Sequence, residues 1–354
     1  MIISTCGFGS TGSSAVSDYI LECDDVQVFD NIEFTIASIP DGLSDLEYHL
    51  LKCHMRLSSS IYAIQRFRKL IASSSREWCS NTSITKNQIN EITNNFLKEI
   101  IQLRFIGYSP AISKKYNQFW RHYWGESMML HRIIPALERA KIIKKNFDFF
   151  PLEEVEVSIN PQNFYKAAIN YTQNLLVAMG CDFSKKIVLD QAFSGDNPVS
   201  SFPFYKDPYA VVVDRDPRDL YIFAKKFLLS RGRFMPTDSV ENFITYYRIL
   251  RDNQPYKIKN IRVLVINFED LVYDYDNASS KIDTFLGLRN NRRRTIFKPE
   301  ISVANTNLIR KYPELKKDIE EIERRLPEYL FHFEKYKTIN DAGEMFYGKS
   351  PLNK

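Results

Sequence analysis

Short apolar runs rich in β-branched residues recur along the chain and alternate with stretches of helical spacing. Each run has about the length of a buried strand, and parallel strands that are covered on both faces read as nearly continuous apolar segments. Strands that alternate with helices are typical of an α/β fold. The pattern therefore predicts a central parallel sheet flanked by helices, with strands at Ile2–Cys6, Val26–Asp30, Lys186–Asp190, Ala210–Asp214 and Arg262–Asn267.

The region between the second and third of these strands has mostly helical spacing. This spacing is interrupted by a polar segment, Ser73–Asn81, which we predict as a break, and it returns over Thr85–Ile106. Residues 107–155 carry two Trp, several Tyr and a basic run, a composition that fits a small insertion or a lid. We predict a single α/β domain over residues 1–354, with a largely helical insertion at approximately 40–180.

Composition and charge narrow the class of protein. The 354 residues are 44% hydrophobic and 26% charged, as in ordinary globular proteins. A net charge of +5 suits a small anionic ligand and is too low to indicate nucleic acid. The five Cys form no C-x-x-C pair, so we expect neither a metal site nor a disulfide scaffold. We found no signal peptide and no transmembrane run, and we expect a cytoplasmic protein with no integral membrane segment.

The first twenty residues, MIISTCGFGSTGSSAVSDYI, combine an apolar run, a turn of small residues and an amphipathic stretch. A strand that turns into a helix in this way leaves backbone N–H groups directed outward at the helix N-terminus, where the helix dipole also favours negative charge. Glycines allow a phosphate to approach the backbone closely. The segment therefore predicts a phosphate-binding loop formed by Gly9, Ser10, Thr11, Gly12, Ser13 and Ser14.

Three alternatives remain for what this loop binds: the phosphates of ATP in a P-loop enzyme, a dinucleotide, or no ligand. The nucleotide-binding pattern G-x-x-x-x-G-K-[ST] is incomplete, since Ser13 follows Gly12 where a lysine is required. The spacing G-x-G-x-x-G is matched, and Asp30 lies near the distance at which a dinucleotide-binding acid is expected. The third alternative is a tight strand-to-helix turn that binds nothing.

A second cluster of charged residues follows the strand AVVVD. Arg215 and Arg218 stand in the sequence RDPRD, at the carboxyl end of a central strand, which is the edge where open α/β sheets bind ligands. Arginine can donate two parallel N–H bonds to a phosphate. We therefore expect Arg215 and Arg218 to lie near the same sheet edge as the N-terminal loop and to bind the phosphorylated ligand there.

Together, the loop and the RDPRD segment resemble the sulfotransferases that use 3′-phosphoadenosine 5′-phosphosulfate as sulfuryl donor. The segment Phe297–Asn305 resembles the F-x-P-x-x-S-x-x-N stretch of bacterial members of that family. The resemblance implies a P-loop-like sulfotransferase fold in which the N-terminal loop holds the 5′-phosphosulfate and Arg215 holds the 3′-phosphate. It also implies nucleotide contacts from Ser302, Asn305 and Arg293.

The same resemblance implies that the helical insertion forms the acceptor side. The acceptor would be a glycan or another small molecule with a hydroxyl group; nucleic acid is not expected as a partner, and no metal is required. Two alternatives in function remain. One is an ATP-dependent phosphotransferase of the P-loop kinase type, and the other is a nucleotide-binding protein without catalytic activity.

Two residues depart from the family pattern. The family loop usually carries a lysine just before S-G-T-T, and the aligned residue here is Ser10, which we keep as a catalytic candidate. The family also commonly has a serine eight residues after the arginine, at the position of Phe223.

The catalytic base has no motif to identify it, so it must be sought among groups that can accept the proton of an acceptor hydroxyl. Glu33 and Asp190 are favoured, because each follows a predicted strand. The other candidates are Asp30, Asp45, Glu47 and His49.

Overall fold

The structure is a computed structural model that describes residues 1–53, 57–107, 136–142, 153–228, 234–252, 260–289, 296–337 and 343–346. The chain divides into two compact units. The first comprises Met1–Ser38, Ser80–Ile84 and Thr172–Lys354, and the second comprises Ile39–Cys79 and Thr85–Tyr171. The N-terminal loop, Arg215 and the segment that ends at Asn305 all belong to the first unit.

The described residues form seven strands and eleven α-helices. The strands are β1 (Ile2–Gly7), β2 (Val26–Phe29), β3 (Leu103–Gly107), β4 (Glu153–Val157), β5 (Lys186–Asp190), β6 (Pro208–Asp214) and β7 (Val263–Asn267). The helices are α1 (Ser13–Leu21), α2 (Leu43–Glu47), α3 (Leu57–Asn81), α4 (Lys86–Ile100), α5 (Phe164–Ala178), α6 (Pro217–Phe227), α7 (Val240–Asp252), α8 (Phe268–Tyr273), α9 (Tyr275–Leu286), α10 (Pro299–Ser302) and α11 (Lys316–Arg325). A π-helical turn, Tyr48–Lys52, follows α2.

Five strands of the first unit form a parallel sheet in the order β2-β5-β1-β6-β7. The sheet confirms the predicted class, an α/β fold with a central parallel sheet flanked by helices. In its register, Thr5 on β1 lies beside Asp190, and Gly7 lies beside Val213. The carboxyl ends of β5, β1 and β6 therefore lie at one edge of the sheet. β1 lies between β5 and β6, so the strand connections run in opposite directions on its two sides. Such a switch in strand order is where ligands bind in open α/β sheets.

The core of the first unit explains why these segments form the sheet. Ile3, Val188 and Val211, on the three central strands, are completely buried and form one cluster with apolar residues of α1, α8 and α9. Burial on both faces accounts for the nearly continuous apolar sequences of β5 and β6. A second cluster joins α6, α7 and α11. These clusters fix the strand ends from which the loops of the candidate site begin.

Two predicted boundaries in the second unit are wrong. The predicted break at Ser73–Asn81 is the last part of the continuous helix α3. Its serines fit within the helix because Ser73 and Ser75 each donate to the carbonyl three residues earlier, and the buried Trp78 anchors this end. A polar composition here therefore does not interrupt the helix.

The predicted helix Thr85–Ile106 is also too long. A capping box formed by Thr85 and Gln88 begins α4 near the predicted position, but the helix ends at Ile100. The next residues form β3, which pairs antiparallel with β4 so that Phe105 lies opposite Val155. Just after β4, the Ser158 hydroxyl donates to the Ile100 carbonyl at the end of the helix. Pairing with a strand that is distant in sequence overrides the helical spacing.

Several predictions fall on residues that the structure does not describe. Arg293 lies outside the described residues, and so does most of the predicted lid at 107–155.

Candidate functional site

The loop Phe8–Gly12 connects β1 to α1 with an unusual backbone. Gly9, Ser10 and Gly12 all have positive φ angles, of 82°, 55° and 97°. Gly12 is required for a second reason, since a Cβ atom there would lie 2.6 Å from the Phe268 ring. A Cβ atom on Gly9 would lie 2.7 Å from the ring of Phe234, an aromatic residue that is 47% exposed beside the loop. The sequence therefore folds into a loop whose shape only small residues allow.

This loop presents unpaired backbone donors. Within the described part of the chain, no acceptor is found for five successive backbone amides, those of Ser10, Thr11, Gly12, Ser13 and Ser14. The Thr11 hydroxyl is turned inward, where it accepts from the Phe8 amide at 3.2 Å. Ser14 is exposed, and the buried Ser10 hydroxyl has no partner among the described residues. Free amides at the start of a helix form an environment that suits an anion.

Asp190 and Gln191 bring the end of β5 against the loop. The Gln191 amide side chain donates from Nε2 to the Ser13 hydroxyl oxygen at 2.7 Å. Burial, together with the nearby carboxylates of Glu33, Asp30 and Asp18, raises the pKa of Asp190 to about 6. The Asp190 Oδ1 atom is buried without a hydrogen-bond partner in the described structure. An acid with this pKa can exchange a proton near neutral pH.

The other base candidates are arranged differently. Glu33 is exposed on the segment after β2, near enough to Asp190 to affect its pKa. In the second unit, Asp45 pairs with Arg66 at 2.5 Å and with His49 at 3.5 Å. Glu47 accepts hydrogen bonds from Lys52 and Tyr165. Of the predicted bases, Asp190 is the one whose backbone is paired directly with β1.

Arg215 lies beneath the loop at the end of β6. Its Nη1 atom donates to the Ser10 carbonyl at 3.0 Å, and its Nη2 atom donates to the Asn305 carbonyl. The guanidinium carbon lies 4.9 Å from the centre of the Phe223 ring and 5.5 Å from that of Phe268. The side chain is only 4% exposed, and its Nε atom has no acceptor among the described residues. The three sequence segments singled out for the nucleotide are therefore in contact here.

Phe223 lies at the position where the resemblance to sulfotransferases predicts a serine, and its ring contacts the Arg215 guanidinium. An aromatic ring holds the guanidinium in place, whereas a serine would offer it only a hydroxyl. Burial lowers the pKa of Arg215, and the nearby Asp219, Glu269 and Asp216 oppose this effect. Arginine nevertheless stays charged in proteins.

Three acidic residues, Asp216, Asp219 and Glu269, lie near enough to Arg215 to affect its pKa. Glu269 is fully buried, and its Oε1 atom accepts from the Asp216 amide. Burial raises the pKa of Glu269 well above its ordinary value, with Asp216 and Asp219 adding to the effect. Asp219 accepts from the Asn307 and Leu308 amides at 2.7 Å, which ties α6 to the segment that follows Asn305.

Arg218 is directed to protein groups. It forms an ion pair with Asp216 at 2.7 Å, a second with Glu323 at 2.9 Å, and a hydrogen bond to the Phe331 carbonyl. Its guanidinium is thus held by protein acceptors, and its predicted contact with the nucleotide stays a prediction.

The segment that resembles the bacterial sulfotransferase motif forms α10 and the turn after it. Ser302 and Asn305 are both buried. The Asn305 side chain pairs with the backbone of Phe346 through two hydrogen bonds of 3.0 Å, while its carbonyl accepts from Arg215. Asn305 therefore connects Arg215 to a segment near the end of the chain.

Sequence reasoning missed Arg251. This residue of α7 is 1% exposed and donates from Nε and Nη2 to the Asp214 carboxylate. Its guanidinium carbon also lies 4.0 Å from the centre of the Phe8 ring, at the start of the loop. An aspartate at a strand end was the available signal, but nothing in the sequence identifies which of the many arginines pairs with it.

The dinucleotide-binding alternative requires the second strand beside the first. Here β5 lies between β2 and β1, so Asp30 does not follow a neighbour of β1. Among the described residues, no group of three His, Cys, Asp or Glu side chains is arranged to hold a metal ion. None of the helices that the structure describes is long and apolar enough to cross a membrane.

No protein-family model and no curated protein matches this chain. Function must therefore be inferred from the loop, Asp190 and Arg215 themselves.

Proposed function

We propose that the protein is a sulfotransferase that moves a sulfuryl group from 3′-phosphoadenosine 5′-phosphosulfate to a hydroxyl of a glycan or another small acceptor. A P-loop-like sulfotransferase fold is part of this proposal. The observation that carries it is the hydrogen bond from Arg215 to the Ser10 carbonyl. This bond joins the two segments that the resemblance assigns to the two phosphorylated ends of one nucleotide.

The loop would bind the 5′-phosphosulfate. Its free amides and the exposed Ser14 hydroxyl are donors fixed in place before any ligand binds. When the sulfur–oxygen bond breaks, negative charge develops on the oxygen that stays with the 5′-phosphate. Fixed donors stabilise such charge without having to reorganise. This arrangement would replace the loop lysine that the family usually has.

Arg215 would recognise the 3′-phosphate. Its Nε–H is a buried donor that finds no acceptor in the described ranges, and a buried cation is a strong partner for phosphate. The aromatic rings of Phe223 and Phe268 restrict the guanidinium to one position. Ser302 and Asn305 would line the same end of the nucleotide.

Asp190 would act as the base. The acceptor oxygen attacks sulfur, the bond from sulfur to the bridging oxygen breaks, and adenosine 3′,5′-bisphosphate leaves. The acceptor's proton passes to the Asp190 carboxylate. A pKa of about 6 leaves this group mostly ionised at neutral pH and still basic enough to accept a proton.

A panel of ligands tests the proposal by thermal shift. The panel contains adenosine 3′,5′-bisphosphate, ATP with magnesium, and NAD. Each is used at about a hundredfold excess over the dissociation constant expected of a specific ligand. Bound ligand stabilises the folded state by about 2.7 kcal/mol under such conditions. We expect stabilisation by the bisphosphate alone, followed by transfer of label from a ³⁵S-labelled donor to a member of a glycan and phenol panel.

Other outcomes identify the alternatives. Stabilisation by ATP with magnesium, without an effect of the bisphosphate, would favour the phosphotransferase. Binding of the bisphosphate without transfer to any acceptor would favour a non-catalytic nucleotide-binding protein.

A further inference from the structure

Gln191 lies at the point where β5 meets the phosphate-binding loop, and it has a backbone conformation that its residue type seldom adopts. Its φ angle is 51°, in the left-handed region. The conformation is held by a hydrogen bond from the Gln191 backbone amide to the Thr5 carbonyl at 3.0 Å. Strained residues that persist in a fold are concentrated at functional sites.

The consequence is the position of the Gln191 side chain. Its Nε2 atom donates to the Ser13 hydroxyl oxygen at 2.7 Å. A serine hydroxyl has one proton to donate and two lone pairs that accept. Since Gln191 occupies a lone pair, the proton of Ser13 remains available. Ser13 is the first residue of α1 and is only 8% exposed, so its hydroxyl has little freedom to find water instead.

We infer that Gln191 is a positioning residue that orients the Ser13 hydroxyl as a hydrogen-bond donor to the anion held by the loop. The inference rests on the proposed function for the identity of that anion, the 5′-phosphosulfate end of the nucleotide. It also gives the left-handed conformation of Gln191 a purpose, because this conformation directs the side chain from β5 toward the helix N-terminus. Gln191 itself does not contact the reacting atoms.

A double-mutant cycle in binding tests this inference. Affinity for adenosine 3′,5′-bisphosphate is measured by calorimetry for the wild type, Ser13→Ala, Gln191→Gly and the double variant. Glycine adopts the left-handed conformation readily, so Gln191→Gly removes the side chain without straining the backbone. Each single change should weaken binding by about tenfold, the loss of one hydrogen bond to a charged group. The double variant should bind no more weakly than Ser13→Ala, because Gln191 acts through Ser13.

Asp207→Gly is the matched control. Asp207 has nearly the same backbone conformation, with φ of 50°, but it precedes β6 at the opposite edge of the sheet. This variant should bind the bisphosphate as the wild type does. Losses that multiply in the double variant, to about a hundredfold, would show that Gln191 acts independently of Ser13 and would overturn the inference.

Gln191→Glu tests the direction of the hydrogen bond. An ionised carboxylate only accepts, so Ser13 would donate to it and no longer to the ligand. Binding relative to the wild type should be weakest at pH 8 and should recover as the pH falls and the new carboxyl becomes protonated. Because the new carboxylate would also repel the anion directly, the same profile is measured in the Ser13→Ala background, where the pH-dependent loss should be much smaller if it acts through Ser13. An equal loss in both backgrounds would show repulsion alone and would overturn the inference. Affinity equal to that of the wild type at pH 8 would overturn the inference.

Failure of the sulfotransferase proposal can be distinguished from failure of the role proposed for Gln191. If the wild type does not bind the bisphosphate, the same cycle is measured with ATP–magnesium and with inorganic pyrophosphate, which probe the loop as an anion site. A cycle that behaves as expected with either of these would retain the role of Gln191 while the sulfotransferase proposal fails. If none of the three anions binds, both fail.

Discussion

The Nη1 atom of Arg215 donates to the Ser10 carbonyl across 3.0 Å, although 205 positions of sequence separate the two residues. The bond fixes the middle of the loop, where Ser10 has a positive φ angle, to the end of β6. The same guanidinium also binds the Asn305 carbonyl. A change at Arg215 should therefore affect both the loop and the segment that ends at Asn305.

Arg215→Gln should weaken binding of adenosine 3′,5′-bisphosphate by about a hundredfold and binding of AMP by about tenfold. Both ligands depend on the loop that Arg215 supports, but only the bisphosphate also loses a charged partner for its 3′-phosphate. Calorimetry measures both affinities, and Arg215→Lys serves as a second variant if the glutamine variant does not fold. Arg262→Gln, near the amino end of β7, is the control and should change neither affinity. Equal losses for the two ligands would limit Arg215 to support of the loop.

Gly12→Ala should lower the free energy of unfolding by about 2–4 kcal/mol, because the added methyl group both opposes the left-handed conformation and meets the Phe268 ring. Urea denaturation measures this change. Gly287→Ala is the matched control. Gly287 also has a positive φ angle, but a Cβ atom there would meet nothing within 4 Å, so its cost should be about 1 kcal/mol. Equal costs for the two variants would show that Phe268 does not restrict the loop.

Arg251→Met should destabilise the protein by about 3–5 kcal/mol, because it removes the ion-pair partner of the Asp214 carboxylate and leaves it with the hydrogen bond from the Arg215 backbone amide. Adding Asp214→Asn removes that unpaired charge, so the double variant should recover part of the loss. Chemical denaturation of the four proteins measures the coupling. A double variant whose loss equals the sum of the two single losses would mean that the pair contributes no coupling energy.

The strand ends and the loop could be predicted because their sequences carry local physical signals. Apolar β-branched runs identified the parallel strands, and the glycines with Ser10–Ser14 identified the loop. The position of Arg215 followed from its place at the end of a strand. The break predicted at Ser73–Asn81 was wrong because serine hydroxyls can bond back to the helix backbone, which polarity alone does not reveal.

Other features of the site depend on contacts between distant segments. The pairing of Arg251 with Asp214 and that of Gln191 with Ser13 require the sheet order, in which β5 and β6 flank β1. The end of α4 at Ile100 likewise depends on the pairing of β3 with β4. No spacing within one segment of the sequence encodes these partners.

The pH dependence of stability should change in Asp190→Asn. The pKa of Asp190 in the folded protein is raised from 3.8 to about 6, so the native state holds this proton more tightly than the unfolded chain does. The resulting stabilisation is present below about pH 4 and is lost as the pH rises through 6. Relative to the wild type, the variant should therefore gain up to about 3 kcal/mol between pH 4 and pH 8, as measured by urea denaturation.

Asp182→Asn should show the opposite sign. Hydrogen bonds from Ser184 lower the pKa of Asp182, so this carboxylate stabilises the fold at pH 8 and the contribution is lost as the pH falls. A difference between Asp190→Asn and the wild type that does not vary with pH would contradict the raised pKa of Asp190.

The central claim is that the loop and the Arg215 segment bind the two phosphorylated ends of one adenosine nucleotide. Calorimetric titration of the wild-type protein with adenosine 3′,5′-bisphosphate and with AMP tests it most directly, because the two ligands differ only in the 3′-phosphate. We expect the bisphosphate to bind at least about a hundredfold more tightly. Equal affinities, or no binding of the bisphosphate, would contradict the claim.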